Sequence, residues 1–323
     1  MIKPNITYVD LFAGLGAFAK GILDAGFKFK HHYFSEVDKF AIANYLFNFK
    51  NAKNLGDVQK IKTENIQKPD ILTFGSPCQD ISHAGQKKGI FGNRSKLFFN
   101  AVGIIDRLRP KVFVFENVKA LLFGNKGKDF EVVLREIANL GVYECQWQLI
   151  NTAWLLPQNR ERLFLVGSLR EVGLPRIFPL LTGYSENETR LKRIDVLKRY
   201  SNYNQDIIYS TQNCAPTLMV GKGSPTSIIK MGKQYRKLTP IECERLQGLP
   251  DDWTKYGRFE NEIKEISKTQ RYSMLGNAIT SLVMKLIAQK ILPVFGASLQ
   301  GISLTELEQE ALDLITQLNQ NNK

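Results

Sequence analysis

Five short apolar runs, residues 6–12, 32–35, 71–74, 112–115 and 162–166, recur along the first half of the chain, with helical patterns such as 17–25 and 97–108 between them. Near-continuous apolar runs of this length, separated by helices, call for a mostly parallel sheet buried on both faces. Each parallel return needs a crossover, and the crossover helices are what cover the sheet. The expected fold class is therefore α/β with a doubly wound sheet. In open sheets of this type ligands gather beyond the carboxyl ends of the strands. Asp10, Glu36, Cys78 and Glu116 each accompany the end of such a run, so one shared pocket is expected.

Two of these strand ends carry chemistry. Gly75-Ser76-Pro77-Cys78-Gln79 hangs a thiol on the end of one strand, and Glu116-Asn117-Val118 closes the next. A lone buried cysteine is ordinarily an inert small hydrophobe. Here Pro77 fixes its own φ and holds Ser76 extended, which directs the loop as it leaves the strand. A thiolate both adds strongly to an electron-poor ring and leaves again by elimination. Val112-Phe113-Val114-Phe115 gives Glu116 apolar surroundings, the condition for a carboxyl that keeps its proton near neutral pH and acts as an acid. A strand-end glutamate is otherwise an ion-paired surface residue, with Lys111 or Lys119 as the available partner, and Asn117 is placed to steady it.

At the first strand end, Asp10-Leu11-Phe12-Ala13-Gly14-Leu15-Gly16 leads into a helix, so its glycines can make a tight turn that approaches a ligand closely. With Ala19 it also completes a Gly-x-Gly-x-x-Ala pattern, and Glu36 follows at the distance of a ribose-binding acid. A nicotinamide dinucleotide fits these residues as well as any other nucleotide cofactor does.

A length of 323 residues suits two domains. The formal net charge of +13 favours a polyanionic partner through counterion release from phosphates. The excess is concentrated: residues 170–237 hold 12 Lys and Arg against 5 Asp and Glu. That same stretch is rich in loops, with strand-like pieces at 206–209 and 227–230, and reads as a second, smaller domain. Helical periodicity returns at 280–291. Ser303 and Glu306 then form a capping box ahead of Leu304, Leu307, Ala311, Leu314 and Leu318, expected to dock on the large domain. The four cysteines are widely spaced, so neither a metal site nor a disulfide framework is expected. No signal-peptide pattern or apolar run of membrane-spanning length is present, which leads us to expect a cytoplasmic protein without a membrane partner.

Taken in order, the motifs from Asp10 to about Leu286 resemble those of the DNA cytosine-5 methyltransferase family, of the compact bacterial or phage modification type. They include Pro157-Gln158-Asn159-Arg160-Glu161-Arg162, Arg236-Lys237-Leu238-Thr239-Pro240, Glu242-Cys243-Glu244-Arg245-Leu246-Gln247-Gly248-Leu249-Pro250 and Tyr272-Ser273-Met274-Leu275-Gly276-Asn277-Ala278-Ile279. The resemblance implies a Rossmann-like catalytic domain over 1–169, a target-recognition domain and hinge over 170–267, and a return to the catalytic domain over 268–323. It implies S-adenosylmethionine as cofactor, held by Phe12, Gly14, Gly16, Glu36, Asp57, Val58, Pro77, Leu97 and Asn277. It implies Cys78 as nucleophile, Glu116 as acid, Arg160 facing the target base and Arg162 buttressing the site, with no metal. Double-stranded DNA is the implied partner, met by Gln79, Ser82, Lys87, Lys88, Arg94, Thr217 and Leu218, the target cytosine being rotated out of the helix. A monomer is implied, with a cognate restriction endonuclease as a functional rather than physical partner.

Three other readings weigh against this one. A dehydrogenase rests only on the glycine turn and Glu36 and leaves Cys78, Arg160 and the basic domain unused. A silent DNA-binding regulator is disfavoured by the intact Pro77-Cys78 and Glu116-Asn117-Val118. Methylation of tRNA by the same chemistry would bring a Cys-Phe-Thr element, which the small domain lacks.

Overall fold

The computed structural model describes residues 4–76, 96–180, 208–210, 214–221, 224–225, 228–231 and 233–297. Its centre is a seven-stranded sheet built from β1 (Asn5–Leu11), β2 (Lys28–Ser35), β3 (Lys53–Asn54), β4 (Ile71–Gly75), β5 (Val112–Val118), β6 (Tyr143–Asn151) and β8 (Glu161–Leu169); a two-residue β7 (Gln158–Asn159) lies outside it. The order is β3-β2-β1-β4-β5-β8-β6, parallel except for β8, which runs antiparallel to both its neighbours. The sheet is thus mostly parallel, as expected from the apolar runs. Its order reverses between β1 and β4, which opens a crevice at their carboxyl ends.

Alternation along each strand splits the core into two layers. Val112 and Val114 of β5 face one layer, together with α1 (Ala17–Asp24) and Tyr45 of α2 (Lys39–Asn48). Phe113 and Phe115 face the other, with α3 (Lys96–Leu108) and α5 (Lys128–Asn139); the short α4 (Ala120–Phe123) precedes α5. The antiparallel β8 has a specific effect. It sets its own amino-terminal residues beside the carboxyl end of β5, pairing Arg162 with Val118 and Phe164 with Glu116.

Beyond β8 the chain crosses the face of β6 without joining the sheet. Alternate β6 side chains hold it by the main chain: Glu144 accepts from the Leu174 N–H, Gln146 from Ile177 at 3.0 Å and Phe178 at 3.4 Å, and Gln148 from Leu180 at 2.9 Å. Gln146 also donates to the Pro175 carbonyl at 2.9 Å. The described parts that follow are small: β9 (Ile208–Ser210), β10 (Ala215–Pro216), β11 (Val220–Gly221), β12 (Ser224–Pro225), β13 (Ile228–Met231) and β14 (Gln234–Lys237). Strands β14, β13 and β9 form one sheet, and β10 pairs in parallel with β7.

Helix α6 (Pro240–Leu246) starts at a capping box. The Thr239 hydroxyl accepts from the Glu242 N–H, the Glu242 carboxylate accepts from the Thr239 N–H, and Pro240 opens the first turn. A hairpin, β15 (Tyr256–Phe259) and β16 (Glu262–Glu265), packs on α2. Helices α7 (Lys268–Asn277) and α8 (Ser281–Ile291) complete the described chain, and α8 lies against α1. Gly21 makes that approach possible, since a Cβ there would stand 2.6 Å from the Ser281 carbonyl oxygen and 2.7 Å from Met284 Cβ. Among the described residues no single helix is long and apolar enough to cross a membrane. The capping-box segment at Ser303 lies outside the described residues.

Candidate active site

The turn after β1 forms where the sheet order reverses. Phe12, Gly14 and Gly16 take φ of +58°, +53° and +82°. Glycine adopts this region freely, whereas for Phe12 it is a strained conformation of the kind concentrated at ligand sites. A Cβ on Gly16 would overlap the Phe49 ring, while one on Gly14 would meet nothing within 4 Å among the described residues, so within them the turn is packed on one side and open on the other. The Glu36 carboxylate joins the turn to the end of β2. One oxygen accepts from the Gly14 N–H at 2.9 Å, and the other accepts from Val37 and Asp38 at 2.8 and 3.0 Å. Asn54 brings in the next segment, its side-chain oxygen accepting from the Gly56 N–H at 3.0 Å and the Glu36 N–H at 3.4 Å. Asp57 then caps the short turn that carries the buried Val58. Phe12 and Leu97 pack against the same apolar layer. Asn277, exposed at the end of α7, sits beside the Gly276 and Ala278 carbonyls that receive Arg160.

Asp10 does not share this pocket. It is fully buried within β1, where the Thr73 and Tyr45 hydroxyls donate to its two oxygens at 2.8 and 3.1 Å. Tyr8 meets Thr73 at 2.6 Å, and His32 meets Tyr45 at 2.8 Å. Burial outweighs the two hydroxyls and pushes the Asp10 carboxyl up to about 8, and burial also lowers His32 to about 3. The expectation that Asp10 lines the pocket is corrected: alternation along β1 turns it into the layer beneath.

At the other strand ends Gly75 pairs with Glu116 across β4 and β5. A Cβ there would come within 3.1 Å of Glu116 Oε2, so the carboxyl lies close over the bare glycine. Pro77, Cys78, Gln79, Ser82, Lys87, Lys88 and Arg94 lie outside the described residues; Ser76 is the last one described before them. Asn117 fixes this departure point rather than Glu116. Its amide donates to Ser76 Oγ at 3.2 Å and to the Ser76 carbonyl at 3.4 Å.

Burial raises the Glu116 carboxyl above its ordinary value, and the Arg162 and Arg160 charges draw it partly back. Arg162 Nε stands 3.1 Å from Glu116 Oε1. Neither lysine expected as a partner is used: Lys111 pairs with Asp70 and Lys119 with Glu161, each at 2.8 Å.

The two arginines do not point the same way. β7 ends at Asn159 and β8 begins at Glu161, so Arg160 falls in the break and its side chain diverges from that of Arg162. Arg160, 2 % exposed, donates to the Ala278 carbonyl at 2.6 Å, to Gly276 at 3.3 Å and to Leu218 at 3.5 Å. Arg162 touches the acid, and Arg160, whose charge also reaches Glu116, gathers three segments. Leu218 is likewise buried in the protein, its N–H held by Gln158 Oε1 at 3.1 Å, and Thr217 donates to the Asn159 carbonyl at 2.7 Å.

Two residues at this junction escaped the sequence reading although both lie in motifs it quotes. Gln158 donates to the Leu246 carbonyl at 2.7 Å, and Gln247 donates to the Leu275 carbonyl at 2.9 Å while accepting from the Thr280 hydroxyl at 3.2 Å. Both are fully buried. A long polar residue inside a motif otherwise read as structural was the available signal.

Solved structures show the fold. Schizosaccharomyces pombe Dnmt2 methyltransferase matches 90 % of this chain and 99 % of its own with a TM-score of 0.65 at 18 % identity. A prophage-encoded DNA modification methyltransferase of Escherichia coli matches 91 % and 100 % with a TM-score of 0.62. The fold is that of the Rossmann-like methyltransferases.

The sequence matches of known proteins are narrower. A Type II methyltransferase of Lactococcus lactis subsp. cremoris, M1.ScrFI, is 34 % identical over 90 % of this chain and 79 % of its own length. M.HaeII of Haemophilus aegyptius is 34 % identical over 87 % and 91 %. The family model of the C-5 cytosine-specific DNA methylase matches residues 6–218 and 182–293, and the chain belongs to that family.

Proposed function

We propose that this DNA cytosine-5 methyltransferase works through a covalent Cys78 adduct to a cytosine turned out of duplex DNA, as the modification half of a restriction-modification system. The observation that carries the reading is the state of Glu116. It is a shielded acid with a raised pKa, ion-paired to Arg162, and its strand partner Gly75 lies three residues before the cysteine.

The turn suits S-adenosylmethionine. Positive-φ glycines bring main chain close to a ligand, open space adjoins Gly14 among the described residues, and Glu36 Oε2, which accepts only from the Gly14 N–H among the described residues, has a lone pair left for a ribose hydroxyl. In this reading Phe12, Gly14, Gly16, Glu36, Asp57, Val58, Leu97 and Asn277 hold the cofactor, with Pro77 beside them. When bound, it supplies an electrophilic methyl group on sulfur.

The chain's own residues do the rest. The Cys78 thiolate adds to carbon 6 of the ring, and the ring electrons move toward nitrogen 3, where Glu116 donates a proton. Carbon 5 is then electron-rich and accepts the methyl group. Loss of the carbon-5 proton, departure of the thiolate and return of the nitrogen-3 proton to Glu116 restore the neutral ring. Arg162 holds the Glu116 carboxyl toward the site, and Asn117 sets where the nucleophile loop begins.

Residues 170–267 serve target recognition in this reading, and their basic excess meets phosphates, as do Lys87, Lys88 and Arg94. Such a protein acts as a monomer in the bacterial cytoplasm, with a cognate endonuclease cutting the same unmethylated site. Two assays test the reading. A duplex with 5-fluorocytosine at the target, incubated with protein and S-adenosylmethionine, should give a covalent complex that Cys78→Ser abolishes; no complex with the wild type overturns it. Bisulfite sequencing of plasmid from expressing cells should show protected cytosines in one short repeated context, absent from the Cys78→Ser control.

A further inference from the structure

The glycine turn is gripped from outside the sheet by the loop that follows α6. Trp253 Nε1 donates to the Leu15 carbonyl at 3.1 Å, and Leu15 stands between the positive-φ residues Gly14 and Gly16. The Trp253 ring packs edge-on against Phe49, centroids 5.8 Å apart, and Phe49 is the side chain that lies against Gly16. Lys20 of α1 covers the ring from 5.9 Å. On its main-chain side, Asn44 and Asn48 of α2 donate to the Trp253 carbonyl at 2.8 and 3.2 Å.

The loop's own shape is set from α6. Glu244 is fully buried, and its carboxylate accepts from the Asp252 and Thr254 N–H groups at 2.8 Å each and from the Thr254 hydroxyl. Arg271 of α7 pairs with it at 2.9 Å. Between these anchors Asp252 takes a φ of +61°, a strained conformation that the surrounding bonds over-determine. Arg236, at the end of β14, reaches the same helix through two bonds to Glu242 at 2.7 and 2.8 Å. Helix α6 thus carries Arg236 of the small sheet on Glu242 and, two residues on, the Trp253 loop on Glu244.

We infer that Trp253 is a positioning residue for the methyl donor. Its indole N–H fixes the Leu15 peptide, and with it the path of main chain between the two glycines that face the ligand. This rests on reading the turn as the S-adenosylmethionine site. A tryptophan that merely packed the loop would need its ring but not its N–H, and that difference makes the inference testable.

Trp253→Phe keeps an aromatic ring against Phe49 and removes the donor. Full-length wild type and variant are titrated with S-adenosylhomocysteine by calorimetry, and initial rates are taken over a range of S-adenosylmethionine at saturating duplex. Loss of one neutral hydrogen bond is expected to weaken S-adenosylhomocysteine binding and raise KM for S-adenosylmethionine by roughly threefold to tenfold. The maximal rate and the affinity for duplex without cofactor should stay as in the wild type. Unchanged S-adenosylhomocysteine affinity, or a fall in kcat with KM unaltered, overturns the inference. Failure of the wild type itself to bind S-adenosylhomocysteine would instead count against the cofactor reading. Asn48→Ala, which removes one donor to the Trp253 carbonyl, is expected to shift affinity the same way by less; it replaces Trp253→Phe should that variant not fold, and an unchanged affinity there is equally adverse.

Discussion

Arg162→Met isolates the electrostatics of the acid. Arg162 Nε and Glu116 Oε1 are 3.1 Å apart, and the two side chains are only 16 % and 11 % exposed. Unit charges at that separation interact by about 5 kcal/mol at an effective dielectric constant of about 20. Since residual solvent and neighbouring dipoles take up part of this, a carboxyl beside an arginine is held down by roughly one to three pKa units, or about 1.4–4 kcal/mol. Removing the guanidinium leaves burial unopposed except by the weaker Arg160 influence, so the Glu116 pKa rises further. If catalysis needs the protonated acid, its alkaline limb lies where Glu116 gives up that proton. The limb must therefore move to higher pH in the variant. Stability near neutral pH should fall by less than the ~3–5 kcal/mol of a broken buried pair, because Glu116 takes a proton instead of remaining a bare charge. The assay is kcat/KM for methyl incorporation into duplex across the pH range, with a urea melt alongside. A limb that stays in place, or moves down, refutes the assignment of Glu116 as the donor governed by Arg162, whatever happens to the height of the profile.

Gly21→Ala should lower the melting temperature, reversing the gain of about 1 kcal/mol that alanine ordinarily brings to a helix. The new Cβ meets the Ser281 carbonyl oxygen at 2.6 Å, and overpacking of this kind costs about 1–3 kcal/mol; a raised melting temperature would show that α1 and α8 are not in such contact. For Asp10, burial lifts the carboxyl from 3.8 to about 8. Between those values the folded chain keeps a proton that the unfolded chain has released, so this residue makes stability fall as pH rises from about 4 to about 8. Asp10→Asn should show a smaller drop in urea midpoint over that range than the wild type, and equal drops would contradict the buried, protonated state.

What could be read in advance was whatever local pattern decides. Apolar runs ending in Phe12, Ser35, Phe74 and Phe115 had to be strands covered on both faces, and Glu116 had to sit near the cysteine loop if β4 and β5 were neighbours. The split between Arg160 and Arg162 was not legible, because it depends on where β7 stops and β8 starts, a break of one residue set by tertiary pairing. Asn117 misled for a related reason: adjacency in sequence pointed it at Glu116, while consecutive strand residues face opposite ways and its amide finds Ser76. Asp10 obeys the same alternation, which hides it beneath the pocket. Trp253 acts across 238 residues of sequence, a separation at which spacing carries no information.

The hold that Glu144, Gln146 and Gln148 keep on residues 174–180 reads main-chain amides alone, and every amino acid except proline supplies one at those positions. Such a clasp is blind to the identity of what it clasps. Substitutions among residues 174–180 that spare those N–H groups should therefore leave the route of the chain across β6 as it is.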